Sequence, residues 1–168
     1  MGGVTIFGWS LGGFLAAEFA ARYHGYVDGI FLAGIRKKYC EGDLENICQF
    51  IKRDKKAYLY KFYNECFSAG EEGFAWFKKN LMKAYLEEMG LNYLLEGIYY
   101  LSQCELDLKD ISDMNITLIH GEEDKIAPYK EVLEIKKSFP YVNLISLKGT
   151  GHIPFLNATF KDCMKPCI

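Results

Sequence analysis

The sequence predicts an α/β fold in which a mostly parallel β-sheet is interrupted by an inserted helical lid. Three observations support this fold class. Short apolar runs of strand length alternate with amphipathic runs of helical length near both ends of the chain. Between them, residues 43–103 contain no convincing strand and carry apolar side chains at helical spacing. A Gly-x-Ser-x-Gly motif also separates the first predicted strand from the first predicted helix.

Each predicted element follows from its local pattern. The elements are the strand Val4–Phe7, the helix Leu11–Tyr23, the strand Val27–Leu32, helices within residues 43–103, the strands Ile116–Ile119 and Leu144–Leu147 with a helix between them, and a last helix over Phe155–Met164. Gly70, Gly73 and Gly90 divide the central region into three or four helices. We define residues 40–103 as the lid of a single domain that covers residues 1–168, because such an insertion usually builds a substrate pocket.

The segment Gly8–Gly12 reads Gly-Trp-Ser-Leu-Gly and has the strand-to-helix context of a serine nucleophile. Such a sharp turn crowds the backbone on both sides of the serine, and glycines leave the necessary space. Ser10 is therefore the predicted nucleophile, at a helix N-terminus that favours an anion. The Leu11 N–H is one predicted oxyanion donor. Trp9 and Leu11 flank the serine and are predicted to bind substrate, although a core position is equally open for Trp9.

Two later segments supply partners for this serine. Asp124 lies in the segment Gly121–Pro128 after one predicted strand, and His152 follows the next strand. The carboxyl ends of parallel strands meet at one edge of a sheet, where functional sites assemble. The chain order Ser, Asp, His is that of the α/β-hydrolase triad and differs from the order in other serine hydrolase folds. We predict that Ser10 attacks an ester carbonyl, His152 transfers the proton and Asp124 orients the imidazole.

Other side chains compete for these roles. Glu122 and Glu123 are alternatives to Asp124, which is favoured by its place in a loop that leads into the next helix. His24 closes the first helix, where a histidine interacts favourably with the helix dipole, and is predicted to be structural. His120 precedes the acid in the chain and is predicted to support the site from behind.

Composition narrows the functional classes. Half of the 168 residues are hydrophobic and a quarter are charged, as in globular domains, and the net charge of −2 gives no general attraction to nucleic acid or membranes. No apolar run reaches the ~20 residues of a membrane span. With no secretory signal, we expect a cytoplasmic protein with reduced cysteines, although Cys163 and Cys167 could share a helix face. No metal-ligand cluster or phosphate loop is present, so no cofactor is expected.

Positive charge is concentrated in the lid. Residues 52–83 carry eight basic and four acidic residues, a net +4, which leaves −6 for the rest of the chain given its total of −2. This surface could steer an acidic partner, or it could be an ordinary solvated helical face. The interleaved aromatic residues have helical spacing and are expected in a core or pocket lining.

Three segments together resemble the α/β-hydrolase superfamily: Gly8–Gly13, Gly121–Pro128 with its Asp124, and Gly151–Phe155. Within it, the chain is most similar to the pimeloyl-[acyl-carrier-protein] methyl ester carboxylesterases of biotin synthesis, and the similarity covers nearly the whole sequence. The resemblance implies hydrolysis of a methyl ester on a carrier-linked pimeloyl chain, with release of methanol. It also implies that basic lid residues contact the acidic carrier protein and that an aromatic residue lines the acyl channel. Lys61 and Phe62 lie where such a pair is expected, and Lys55 and Lys56 are further basic residues of the lid that could contact the carrier.

The same resemblance implies β/α units before the nucleophile strand that have no counterpart in this sequence. We therefore expect an exposed sheet edge, a missing second oxyanion donor and reduced activity, since loss of one donor costs ~100–1,000-fold in rate. A general short-chain esterase or thioesterase is one alternative. An inactive hydrolase-like binding module is another.

Overall fold

The structure is a computed structural model that describes residues 2–164, with side chains to Asp162. Within this part of the chain, four parallel strands form one sheet in the order β1-β2-β3-β4. The strands are β1 (Val4–Trp9), β2 (Val27–Ala33), β3 (Asn115–Gly121) and β4 (Asn143–Leu147). This confirms the predicted parallel α/β core. Whether Cys163 and Cys167 share a helix face lies outside the described side chains.

Helices connect these strands in the order expected for parallel pairing. The helices are α1 (Leu11–Arg22), α2 (Glu41–Arg53), α3 (Lys55–Glu65), α4 (Glu72–Asn80), α5 (Met82–Glu88), α6 (Leu91–Gln103), α7 (Tyr129–Ser138) and α8 (Phe160–Met164). Single 3₁₀ turns span His24–Tyr26, Lys109–Ile111 and Pro154–Leu156.

Two helix predictions were wrong in detail. The described lid contains five helices rather than three or four, because two boundaries carry no glycine. One boundary is Asp54, whose carboxylate accepts the Ala57 N–H at 2.9 Å and caps α3. The last helix starts at Phe160 and not at Phe155, because a 3₁₀ turn and the side chain of Asn157, which accepts the Thr159 N–H at 2.9 Å, intervene.

The two central strands carry most of the core. Leu32, Ala33, Leu118 and Ile119 have no exposed surface. β1 lies at one edge of the described sheet, and its Val4 and Phe7 remain 54% and 42% exposed. The lid has a core of its own in which Leu59, Tyr63, Phe67 and Phe77 are buried together, and Ile153 belongs to the same cluster. The residue after His152 is thus part of the lid core.

The two glycines that flank Ser10 have different surroundings. A Cβ on Gly8 would lie 2.5 Å from the Gly12 carbonyl oxygen and 2.7 Å from the Ala16 Cβ. A Cβ on Gly12 would meet nothing within 4 Å. The expectation that both positions require glycine is therefore wrong for Gly12, since only the strand side of the turn is crowded by other elements.

This asymmetry gives a matched pair of substitutions. We expect Gly8→Ala to destabilise the protein by about 2 kcal/mol or more, because the added methyl overlaps backbone atoms of α1. Gly12→Ala is expected to stabilise it by about 0.5–1 kcal/mol, because alanine is the better helix former. Urea unfolding of both variants measures the difference. Equal stability of the two would contradict the crowding argument.

Candidate active site

Ser10 occupies a strained turn between β1 and α1. Its φ is 52°, and no other described non-glycine residue has a positive φ. A backbone in this left-handed region costs about 1–3 kcal/mol. The Ser10 N–H donates to the Ala33 carbonyl at the end of β2 at 2.9 Å, which anchors the turn to the sheet. Leu11 is the first residue of α1, so its N–H has no acceptor within the helix and can bind an anion.

The structure brings the three predicted triad residues together. Ser10 Oγ lies 3.0 Å from His152 Nε2, and His152 Nδ1 lies 2.7 Å from Asp124 Oδ2. With the Nδ1–H donated to the carboxylate, Nε2 is left to accept the proton of the serine hydroxyl. Both Asp124 and His152 side chains are fully buried, so water does not compete for their hydrogen bond. This arrangement can activate a serine for attack on a carbonyl.

Asp124 is held by its own loop. Its second oxygen, Oδ1, accepts the N–H groups of Ile126 and Ala127, both at 2.8 Å. These two bonds fix the carboxylate plane and leave Oδ2 for the imidazole. The competing candidates Glu122 and Glu123 are exposed. Burial and backbone donors therefore distinguish Asp124 from its acidic neighbours.

His152 is held through its backbone on both sides. The His152 N–H donates to the Cys66 carbonyl in the lid at 2.6 Å. The indole Nε1–H of Trp9 donates to the His152 carbonyl at 2.7 Å, and the Trp9 ring also packs against that of Phe155. Trp9 was predicted to line the substrate pocket or to belong to the core. The structure places it beside the histidine as a support.

The two other histidines lie where their structural roles were predicted. His24 Nε2 lies 2.8 Å from Asp113 at the protein surface. His120 is buried at the end of β3, with Nε2 2.7 Å from the Ala127 carbonyl and 3.4 Å from Asp124 Oδ2. Burial lowers the pKa of His120, which outweighs the opposing effect of Asp124. His120 is therefore neutral near pH 7, and its contact with Asp124 is not an ion pair.

An apolar cavity of about 260 Å³ opens beside Ser10. Its walls come from α2, α3 and α6 of the lid, with Ile126 at the base; the apolar lining includes Leu11, Leu44, Ile47, Ile51, Leu59, Phe62, Leu94, Ile98 and Leu101. Leu11 and Phe62 are two of the three residues predicted to bind substrate, whereas Trp9 is not part of this lining. Such a cavity suits a hydrocarbon chain next to the serine.

Tyr39 is a site residue that the sequence argument missed. It lines the cavity with Ser10 and is only 9% exposed. Burial raises the pKa of Tyr39, and the nearby Ser10 side chain offsets this in part, so the phenol stays protonated at neutral pH. The Arg36 guanidinium lies 4.7 Å from the centre of the ring and pairs with both carboxylate oxygens of Glu131. Because Tyr39 follows β2 in an irregular segment, no periodic pattern singled it out.

Within the described residues 2–164, no group of histidine, cysteine, aspartate and glutamate side chains could hold a metal ion. No helix in this range is both long and apolar enough to cross a membrane.

The chain is similar to known proteins with the alpha/beta hydrolase fold. The family model described as alpha/beta hydrolase fold matches residues 2–159 of this chain. The pimeloyl-[acyl-carrier protein] methyl ester esterase of Nitrosospira multiformis is 27% identical over 91% of this chain and 63% of that protein. An esterase from Exiguobacterium antarcticum superposes with a TM-score of 0.73 at 17% identity, covering 99% of this chain and 64% of that one. A bromoperoxidase from Bacillus anthracis superposes with a TM-score of 0.81 at 19% identity, covering 99% of this chain and 67% of that one.

These likenesses differ in what they establish. The two structural matches show the fold alone, because their sequences share less than a fifth of their residues with this chain. The chain spans 63% of the length of the curated relative and a similar share of the solved structures. The family model match over residues 2–159 contains both the Ser10 turn and His152.

The Tyr39 hydroxyl can be tested without disturbing its ring. We expect Tyr39→Phe to slow labelling of Ser10 by a serine-reactive fluorophosphonate about three- to tenfold, the equivalent of one neutral hydrogen bond. Tyr93→Phe is the control, since Tyr93 lines the same cavity but is 78% exposed. Unchanged labelling of Tyr39→Phe would show that its hydroxyl does not act on Ser10.

The lowered pKa of His120 predicts a pH effect on stability. The unfolded chain binds a proton at this residue below about pH 6.5, while the folded protein does not. The free energy of unfolding should therefore fall as the pH decreases below that value. We expect a shallower fall in His120→Gln than in the unmodified protein, measured by urea unfolding at several pH values. Identical slopes would contradict the assigned neutral state.

Proposed function

Because this chain belongs to the α/β-hydrolase fold family, we propose that it is a serine carboxylesterase. The proposed substrate is the methyl ester of a pimeloyl chain on acyl carrier protein, as in biotin synthesis. One observation carries the proposal: Ser10, His152 and Asp124 form a hydrogen-bonded line at 3.0 and 2.7 Å beside an apolar cavity. The curated relative from Nitrosospira multiformis supports the choice of ester.

The proposed reaction proceeds through an acyl-enzyme. Ser10 Oγ attacks the ester carbonyl while His152 Nε2 takes the hydroxyl proton. The Leu11 N–H donates to the oxyanion of the tetrahedral intermediate, and the Asp124 carboxylate stabilises the imidazolium. The intermediate collapses as Nε2 returns the proton to the departing methanol. A water molecule then repeats the sequence, and the free carboxylic acid leaves Ser10.

The apolar cavity is evidence that the acyl chain is the part of the substrate that this site binds. Its lining is dominated by Leu and Ile side chains with Phe62 and Tyr58 from α3. Each methylene buried there contributes about 0.8 kcal/mol of favourable transfer free energy. The Tyr58 pKa is raised to about 12, mainly by burial, so this phenol stays uncharged beside the chain.

The basic lid surface is evidence for binding of a carrier protein, but the three predicted lysines have different surroundings. Lys55 Nζ donates to the Met89 carbonyl at 2.5 Å and so ties α3 to the end of α5. Lys61 lies 3.8 Å from Glu65 on the same helix face. Lys56 lines a surface depression with Lys78 and Lys83, where three lysines outnumber the single acidic residue, Glu87. We therefore assign carrier binding to Lys56 and Lys61 and a structural role to Lys55.

The nucleophile is tested by covalent labelling. We expect the fluorophosphonate to label the unmodified chain and to leave Ser10→Ala unlabelled, while His152→Ala labels at least about 100-fold more slowly than the unmodified chain. Circular dichroism of each variant provides the control for folding. Failure of the folded, unmodified chain to react would refute the esterase proposal and favour a hydrolase-like binding module.

The carrier is tested by charge reversal. We expect Lys56→Glu with Lys61→Glu to raise the KM for a carrier-linked methyl ester about tenfold, since two surface ion pairs are worth about 1–2 kcal/mol. Rates on a free short methyl ester should not change, and Lys130→Glu on α7 is the matched control. Equal effects on both esters would argue for a general short-chain esterase.

A further inference from the structure

The connection between α3 and α4 (residues 66–71 of the lid) is bonded directly to the loop that carries His152. We call residues 148–153 the histidine loop. Three hydrogen bonds join the two segments: His152 N–H to the Cys66 carbonyl at 2.6 Å, Ser68 Oγ–H to the Gly149 carbonyl at 2.6 Å and Gly151 N–H to Glu71 Oε2 at 3.0 Å. The histidine is therefore fixed to the lid as well as to the sheet.

Glu71 makes the one bond of this set that uses a charged side chain. Although it precedes α4, its side chain makes no capping bond to that helix. Its Oε2 instead accepts two N–H groups, from Ser68 at 2.8 Å and from Gly151 at 3.0 Å. The carboxylate therefore fixes the Thr150–Gly151 peptide unit, one unit before the peptide nitrogen of His152.

The two segments also touch backbone to backbone. A Cβ on Gly151 would lie 2.9 Å from the Phe67 Cα and closer still to the Cys66 carbonyl oxygen. With no side chain between them, a displacement of the connection displaces the histidine loop by a similar amount. The end of the loop also packs against the lid, because Ile153 is buried in the lid core.

We propose that Glu71 is a positioning residue that ties the alignment of His152 with Ser10 to the lid. This rests on the proposed esterase mechanism, in which Nε2 must stay within hydrogen-bond reach of Oγ, from which it lies 3.0 Å in the structure. A misplacement of about 1 Å at a catalytic group costs on the order of 100-fold in rate. The role requires an acceptor at the reach of a glutamate and does not require a negative charge.

Three variants separate reach from charge. Glu71→Gln keeps an acceptor oxygen at the same reach, Glu71→Asp keeps the charge but is one methylene shorter, and Glu71→Ala removes both. We expect Ala and Asp to lower kcat, and the rate of fluorophosphonate labelling, by about 30–100-fold. Gln should retain activity within about fivefold. KM should not change, because Glu71 does not line the cavity. The exposed neighbour Glu72→Ala is the matched control.

A second measurement does not depend on activity. The proton on His152 Nδ1, which is hydrogen-bonded to Asp124, should give a downfield resonance in the proton NMR spectrum of the unmodified protein. We expect it to persist in Glu71→Gln and to be lost or broadened in Glu71→Ala, with both variants folded by circular dichroism. If the unmodified chain does not react with the fluorophosphonate, the esterase proposal fails, and this resonance still decides whether Glu71 positions His152.

Two results would overturn the proposal. One is a Glu71→Ala variant with the same labelling rate and the same downfield resonance as the unmodified protein. That result would show that the other hydrogen bonds suffice to position His152. The other is a Glu71→Gln variant as slow as Glu71→Ala while Glu71→Asp stays active, which would assign the effect to charge.

Discussion

The hydrogen bond between Asp124 and His152 is the interaction on which the rest of the site depends. Both side chains are fully buried, and burying a charged carboxylate is expensive unless donors surround it. Asp124 has three such donors, two from its own loop and one from the imidazole. Because the imidazole is one of them, the acid and the base stabilise each other in a single geometry. Ser10 completes the line without being buried as deeply.

The parallel sheet makes this pairing possible. Ser10 and His152 are 142 residues apart in the chain, yet each follows the carboxyl end of a strand of the same sheet. Parallel strands place these ends at one edge, where irregular loops converge above a rigid base. β2 and β3 supply that rigidity through side chains with no exposed surface. The strained backbone of Ser10 persists because its N–H is anchored to β2.

The lid contributes more to the site than a cover. Its helices enclose the apolar cavity, and its core includes Ile153 of the histidine loop. Its connection at residues 66–71 accepts and donates hydrogen bonds around His152. Hydrophobic packing and backbone hydrogen bonds thus join the part of the molecule that contacts an acyl chain to the part that moves protons. The geometry of the histidine cannot be separated from that of the lid.

The sequence by itself determined the parallel α/β core and the chain positions of Ser10, Asp124 and His152, because these follow from local signals. Hydrophobic periodicity, a glycine-bounded serine and polar residues directly after strands all act over a few neighbouring residues. Leu11, predicted from its place beside the motif, and Phe62, predicted from the family resemblance, both line the apolar cavity. The number of lid helices was not, because Asp54 and Leu81 end helices without glycine or proline.

Only the tertiary structure decided the roles of Trp9, Tyr39, Glu71 and the individual lid lysines. The residues around Trp9 in the chain are compatible with a pocket position and with support of His152. The choice between these roles depends on where the histidine loop packs. Lys55 and Lys56 are adjacent in sequence, yet one bonds the Met89 carbonyl and the other faces a depression in the surface. These contacts join residues far apart in the chain. Their partners are set by packing between elements, about which local patterns carry no information.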